Sequence, residues 1–149
     1  MGKMQIYSDA FEENQHIPKK YTCDGRGVNP PLRITNIPGE AESLVLIVDD
    51  PDAPGGLFTH WLVWNIPAGT NYIEEDSLPE WALEGANSGG KVGYYPPCPP
   101  EGAHRYFFKI YALDTTLELE IGAERDRLEQ AIEDHILDQA ELIGLYSRG

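Results

Sequence analysis

The placement of proline constrains this chain more than any other feature: all 12 prolines lie in the first 100 residues, and the last 49 residues have none. Proline fixes φ and lacks a backbone N–H, so it is excluded from central strands and helix interiors and collects at turns and strand ends. Before about residue 115, short β-branched or aromatic runs alternate with turn clusters, the pattern of a β-sandwich or related all-β core. Beyond that point Glu, Leu, Ala and Ile dominate.

Three runs read as buried strands. Ser43-Leu44-Val45-Leu46-Ile47-Val48 is apolar on both faces and must be covered on both sides, which places it centrally. His60 to Ile66 is a second run, ended by Pro67. From His104 to Leu113, Tyr106, Phe108, Ile110 and Ala112 fall on one face, with Phe107, Lys109, Tyr111 and Leu113 on the other. These three are expected to share one sheet. From Ala123 to Tyr146, Leu128, Ala131, Ile132, His135, Ile136, Ala140 and Ile143 follow helical spacing and predict a C-terminal helix docked on the sheet. Gly122 would break the chain before it, Glu124 and Asp126 suit its first turn, and Gly144 would end it.

The length of 149 residues suits one domain with a single core. The longest apolar run, Leu44 to Val48, is far too short to span a bilayer, and the start of the chain lacks the apolar stretch of a secretory signal. Cytoplasmic residence is the resulting expectation. A formal charge of −14 opposes binding to nucleic acid or to an anionic membrane, so a site for an anion must rely on local donors. Cys23 and Cys98 are too few for a disulfide scaffold and lack metal-ligand spacing. They read as two buried thiols or, since both lie in Pro/Gly-rich loops, as one bond.

Chemistry concentrates in two segments. Asp49-Asp50-Pro51-Asp52-Ala53-Pro54 precedes His60, and its crowded carboxylates need donors or a cation beside them. Asp52 serves equally well as a turn cap, whereas Asp50 ends a buried strand. In the second segment, Pro96-Pro97-Cys98-Pro99-Pro100 forms a stiff wall before His104-Arg105-Tyr106. His104 and Tyr106 then share one side of a strand, where an imidazole and a phenol can donate to one anion.

Asp50-Pro51-Asp52-Ala53-Pro54 with His60, and Pro97-Cys98-Pro99-Pro100 followed by His104-Arg105-Tyr106, closely resemble the two signature segments of the phosphatidylethanolamine-binding family, which includes the Raf kinase inhibitor proteins. The resemblance extends to Tyr21-Thr22-Cys23-Asp24-Gly25, Asn29-Pro30-Pro31-Leu32 and the segment from Ala140 to Tyr146. The short spacer Glu101-Gly102-Ala103 is similar to that of the compact prokaryotic branch. The resemblance implies an antiparallel β-sandwich with a small anion pocket for phosphate, acetate or a phospholipid headgroup. Asp50, Asp52, His60, Pro99, Pro100, His104 and Tyr106 match its pocket residues, and Phe58 matches a position on the rim. It further implies a non-catalytic protein without a cofactor, a kinase or peptidase as protein partner, and a homodimer, which the three tryptophans also favour. Tyr95-Pro96 departs from the glycines common before this segment and makes the pocket mouth bulkier.

An enzyme is the alternative, with Cys98 and His104 as a thiolate pair or with Asp50, His60 and His104 as metal ligands. No nucleophile elbow or phosphate-binding glycine loop accompanies them. For the anion pocket, Asp50 is expected to accept a hydrogen bond from one imidazole, and the carboxylate to raise both His60 and His104, while Tyr106 donates to the ligand. The turn after Asp50 predicts a cis Ala53–Pro54 bond.

Overall fold

A computed structural model describes residues 2–148, in two antiparallel sheets. The strands are β1 (Gln5–Tyr7), β2 (Leu32–Thr35), β3 (Ser43–Asp50), β4 (Phe58–Pro67), β5 (Tyr72–Ile73), β6 (Leu83–Glu84), β7 (His104–Leu113) and β8 (Ile136–Tyr146), with an α-helix, α1 (Arg125–Ile132), between β7 and β8 and a turn of 3-10 helix at Lys19–Tyr21. The smaller sheet runs β1-β2-β5 and the larger β6-β4-β3-β7-β8. Strand β3 sits in the middle of the larger sheet with every residue buried, as its doubly apolar pattern demands.

Alternation along β3 divides the interior in two. Leu44, Leu46 and Val48 join Trp61, Phe108 and Ile110 against Ile6, Leu32 and Ile34 of the smaller sheet, forming the sandwich core. Val45 and Ile47 face the other way, with Leu62, Trp64 and Leu113, and are covered by Leu117, Leu119 and the α1 residues Leu128 and Ile132. Each fully buried aliphatic side chain stabilises the fold by about 1.5–3 kcal/mol.

The expected helix from Ala123 to Tyr146 is corrected: only Arg125–Ile132 is helical, and Ile136–Tyr146 is an edge strand. Strand β7 already pairs with β3 on one side, and a bare second edge would leave its backbone groups without partners. Strand β8 supplies those partners from Leu113↔Ile136 to His104↔Tyr146. Asp134, in the left-handed region at φ 70°, ends the helical path. In β8 the buried positions Leu142, Gly144 and Tyr146 alternate as in a strand, while Ile136, assigned to the helical stripe, is 40% exposed. Gly144 is not a helix terminator; a Cβ there would lie 2.6 Å from Ile17 Cγ1 and 2.7 Å from Phe11 Cε2, so glycine allows this close packing.

Two further expectations are overturned. No peptide bond among the described residues is cis, Ala53–Pro54 included. The reversal after β3 is made by Asp50 Oδ1 accepting the Asp52 N–H at 2.7 Å, by the Gly56 N–H donating to Ala53 O at 3.0 Å, and by Gly56 at φ 106°. Cys23 and Cys98 are not buried thiols: they form a disulfide, and both are exposed. Among the described residues, no helix is long and apolar enough to cross a membrane.

Candidate functional site

Antiparallel pairing brings distant parts of the chain to one end of the larger sheet. The end of β3 lies beside the starts of β4 and β7, with Asp50 opposite Phe58, and Asp49 opposite both Thr59 and Phe107. Asp50, His60, His104 and Tyr106 are thereby gathered around one cavity of about 270 Å³. Pro99 and Pro100 form part of its wall, as does Phe58, and Ala53, Pro54, Tyr95 and Cys98 complete it. Asp52 does not line it.

The four polar side chains are 3% (Asp50), 4% (His60), 7% (His104) and 1% (Tyr106) exposed, so each needs a partner or a ligand. His104 Nδ1 and Asp50 Oδ2 are 2.7 Å apart, and His60 Nδ1 and the Tyr95 carbonyl oxygen 2.6 Å apart. A carbonyl or carboxylate oxygen only accepts, so both imidazoles donate through Nδ1–H, which fixes the neutral tautomer with Nε2 bare. Among the described residues, neither Nε2 nor the Tyr106 hydroxyl has a protein partner. The His60 ring stands edge-on to Tyr106 with centroids 5.3 Å apart, while His104 stacks on Tyr106 at 6.4 Å.

Burial holds His60 below the ordinary imidazole range, opposed by its bond to Tyr95 and by the Asp50 and Asp49 carboxylates. The expectation that a carboxylate raises both imidazoles is therefore corrected for His60, whose direct partner is a neutral carbonyl and whose largest influence is desolvation. Tyr106 is pushed above the usual phenol range by burial and then by Asp50 and Asp52, which keeps its hydroxyl a donor.

Asp52 instead acts as a strut outside the cavity. It accepts from the Arg105 backbone N–H at 3.0 Å and from the guanidinium at 2.9 Å through each oxygen. That guanidinium holds its carboxyl down at about 2. The turn after β3 is thus tied to the strand that carries His104 and Tyr106.

Tyr95 was legible only as a bulky replacement for glycine, yet its carbonyl orients His60 and its ring packs 5.1 Å from Phe58. A Cβ on Gly89 would lie 2.3 Å from Tyr95 Cε2, so that ring is seated on a backbone that only glycine leaves open. Cys98 is consumed in its bond to Cys23, and the described residues contain no group of three or more His, Cys, Asp or Glu side chains arranged to hold a metal. A larger groove of about 680 Å³ along β1 and β8 has Glu12, Glu13 and Glu141 but no histidine, lysine or arginine in its lining, which is unsuited to an anion.

Two buried imidazoles and a phenol thus face one cavity at one end of an antiparallel sandwich. The sequence profile of the phosphatidylethanolamine-binding protein family matches residues 7–147, and the chain belongs to that family. It is 49% identical to a UPF0098 protein of Methanothermobacter thermautotrophicus, over 98% of this chain and 100% of the relative. A UPF0098 protein of Pyrococcus abyssi is 52% identical, over 98% of this chain and 86% of its own length. Among solved structures, a phosphatidylethanolamine-binding protein homologue of Chlamydia trachomatis superposes with a TM-score of 0.96 at 44% identity, covering 100% of both chains. YbcL of E. coli, described as a member of the mammalian family, gives a TM-score of 0.92 at 27% identity, covering 99% of this chain and 100% of its own.

Proposed function

We propose that the cavity binds a small oxyanion, as free phosphate or as the phosphorylated end of a larger ligand such as a phospholipid headgroup, without chemical conversion. The observation that carries this is the pair of imidazoles with Nδ1 committed and Nε2 bare beside an unpaired Tyr106 hydroxyl. With Nε2 bare, a neutral imidazole repels a fully deprotonated anion, whereas a protonated one donates to it. Binding is therefore linked to proton uptake by His60, His104 or the ligand.

Sulfate separates these cases because it stays a dianion throughout the range. Calorimetry between pH 5.5 and 8, in buffers of different ionisation enthalpy, should give tighter binding as pH falls and net proton uptake. Affinity that is flat with pH, or that survives in the His60→Ala/His104→Ala protein, rejects the proposal.

The family suggests a protein partner as well, a kinase or a peptidase. Capture from native lysate by the parent, and loss of the same partner with the double-histidine variant, is the expected result. A cytoplasmic location is part of the proposal, and cell fractionation should recover the protein with the cytoplasmic fraction. Self-association as a homodimer has one specific observation in its favour. Trp81 is 79% exposed at φ 73°, an unusual backbone for so large a residue, whereas Trp61 and Trp64 are buried. Light scattering should give a dimer that Trp81→Glu reduces to a monomer of 16.6 kDa.

A further inference from the structure

The wall of the cavity that carries Pro99 and Pro100 is held in an unusual way. Four of the five residues from Pro96 to Pro100 have no backbone N–H, so this segment can join almost no backbone network. Among the described residues, one backbone hydrogen bond reaches it, from the Cys23 N–H to the Pro97 carbonyl at 3.1 Å. The disulfide from Cys98 runs to the same residue, Cys23, across 75 positions of sequence. The chain is well secured before the wall, where the Tyr95 N–H donates to His60 O at 2.8 Å and the Tyr94 hydroxyl to Tyr21 O at 2.8 Å. It is secured again afterwards by His104, the first residue of β7. Between those anchors, both polar and covalent ties pass through Cys23.

Cys98 itself lines the cavity, and both half-cystines are exposed, so a reductant in solution has access to the bond. Exposed disulfides are the readily exchanged ones, unlike those sealed in a core. We propose that the Cys23–Cys98 bond is a redox gate on the anion site: oxidised, it clamps the proline wall around the cavity; reduced, it releases the wall and weakens anion binding. This rests on the anion-pocket reading above. The agent is a dithiol. Its thiolate attacks one cysteine sulfur, the S–S bond breaks, and the leaving thiolate takes up a proton. The second thiol of the reductant, as its thiolate, then resolves the mixed disulfide, and the other cysteine leaves and is protonated. Two electrons pass to the protein as two thiols form, and the dithiol becomes a cyclic disulfide. The sandwich core contains neither cysteine, so its packing does not depend on the bond.

Sulfate affinity at pH 6 is measured by calorimetry on oxidised protein, on protein reduced with dithiothreitol, which adds no anion, and on the Cys23→Ser/Cys98→Ser variant. Thiols are counted in each sample, and amide hydrogen exchange is followed in parallel. The expected result is at least a tenfold loss of affinity in the reduced and variant proteins, restored on reoxidation of the reduced one. Faster exchange should appear at the Cys23 amide, whose acceptor is the Pro97 carbonyl, with β3 and β7 unchanged. Equal affinity with two thiols counted overturns the gate, and so does a loss of protection throughout β3 and β7, which would make the bond a staple of the whole fold. If no form binds sulfate, the anion reading fails. The exchange data still decide the wall: unchanged protection of the Cys23 amide on reduction overturns its release, and selective loss there supports it.

Discussion

Asp49 and Asp50 are neighbours on β3, both almost fully buried, yet they face opposite sides of the sheet and serve different ends. Asp49 points toward α1, where Lys109 Nζ and Arg125 Nη1 each lie 2.9 Å from its Oδ2. Arg125 also donates to Thr59 Oγ1 at 3.0 Å, so this cluster fastens the start of the helix to the back of the sheet. Asp50 points into the cavity, where its partner is the imidazole of His104. A carboxylate between permanent cations is a structural joint, whereas one paired with a titratable ring beside a cavity can respond to pH and to a ligand. The side of the strand, and not the residue type, assigns the role.

The most disruptive test attacks the joint. Lys109→Met with Arg125→Met leaves Asp49 buried without a counter-charge and should cost about 3–5 kcal/mol in urea unfolding. Adding Asp49→Asn to that background should recover part of the loss. No recovery would mean that the cations act through packing alone.

On the cavity side the expected effect falls on binding. Tyr106→Phe removes a hydroxyl that has no protein partner, so stability should change by less than about 1 kcal/mol. Sulfate should bind more weakly by about 1.5–3 kcal/mol, the usual worth of a hydrogen bond to a charged group. A large drop in stability with unchanged affinity would move Tyr106 from the cavity side of the comparison to the structural side.

His60 allows the pH dependence to be divided between the two faces. Its folded value lies below the unfolded one, so as pH falls through about 6.5 the unfolded chain takes up a proton that the folded chain refuses. Stability should therefore be retained above that value and decline below it until the folded imidazole also titrates. Denaturant titrations from pH 5 to 7.5 should show a shallower slope in His60→Gln, and identical slopes would exclude His60 as the source.

The smallest effect is expected from the strut between Asp52 and Arg105, whose side chains are 30% and 52% exposed. Its contribution should be under about 1 kcal/mol because solvent screens it. The depressed carboxyl makes that contribution present above about 3.8 and lost as pH falls toward about 2. A double-mutant cycle at pH 6 and pH 2.5 reads the difference.

Much of this division was legible in the residue pattern. Runs apolar on both faces announced β3 and β4, and alternation over His104–Leu113 matched β7 and its two faces. The motif segments named six side chains that line the cavity, but gave Asp52 the same standing, because spacing along a turn does not say which carboxylate faces inward. Tyr95 was visible as a substitution, and its carbonyl could not be seen as the partner of His60, since any residue offers a carbonyl and only the path of the chain aims it.

The region after Gly122 marks the boundary most clearly. Local pattern determined that the chain turns helical there, and it does, from Arg125 to Ile132. Whether the next residues continued as helix depended on the open edge of β7, a demand for backbone partners that arises only once β3 and β7 have paired. The same holds at the site. The sequence by itself determined the inventory of imidazoles, carboxylates, phenol and prolines and their alternation on each strand. Antiparallel pairing of β3 with β7 decided that Asp50 meets His104, and the meeting of two loops that Cys23 reaches Cys98, because contacts 54 and 75 residues apart come from tertiary structure and not from local preference.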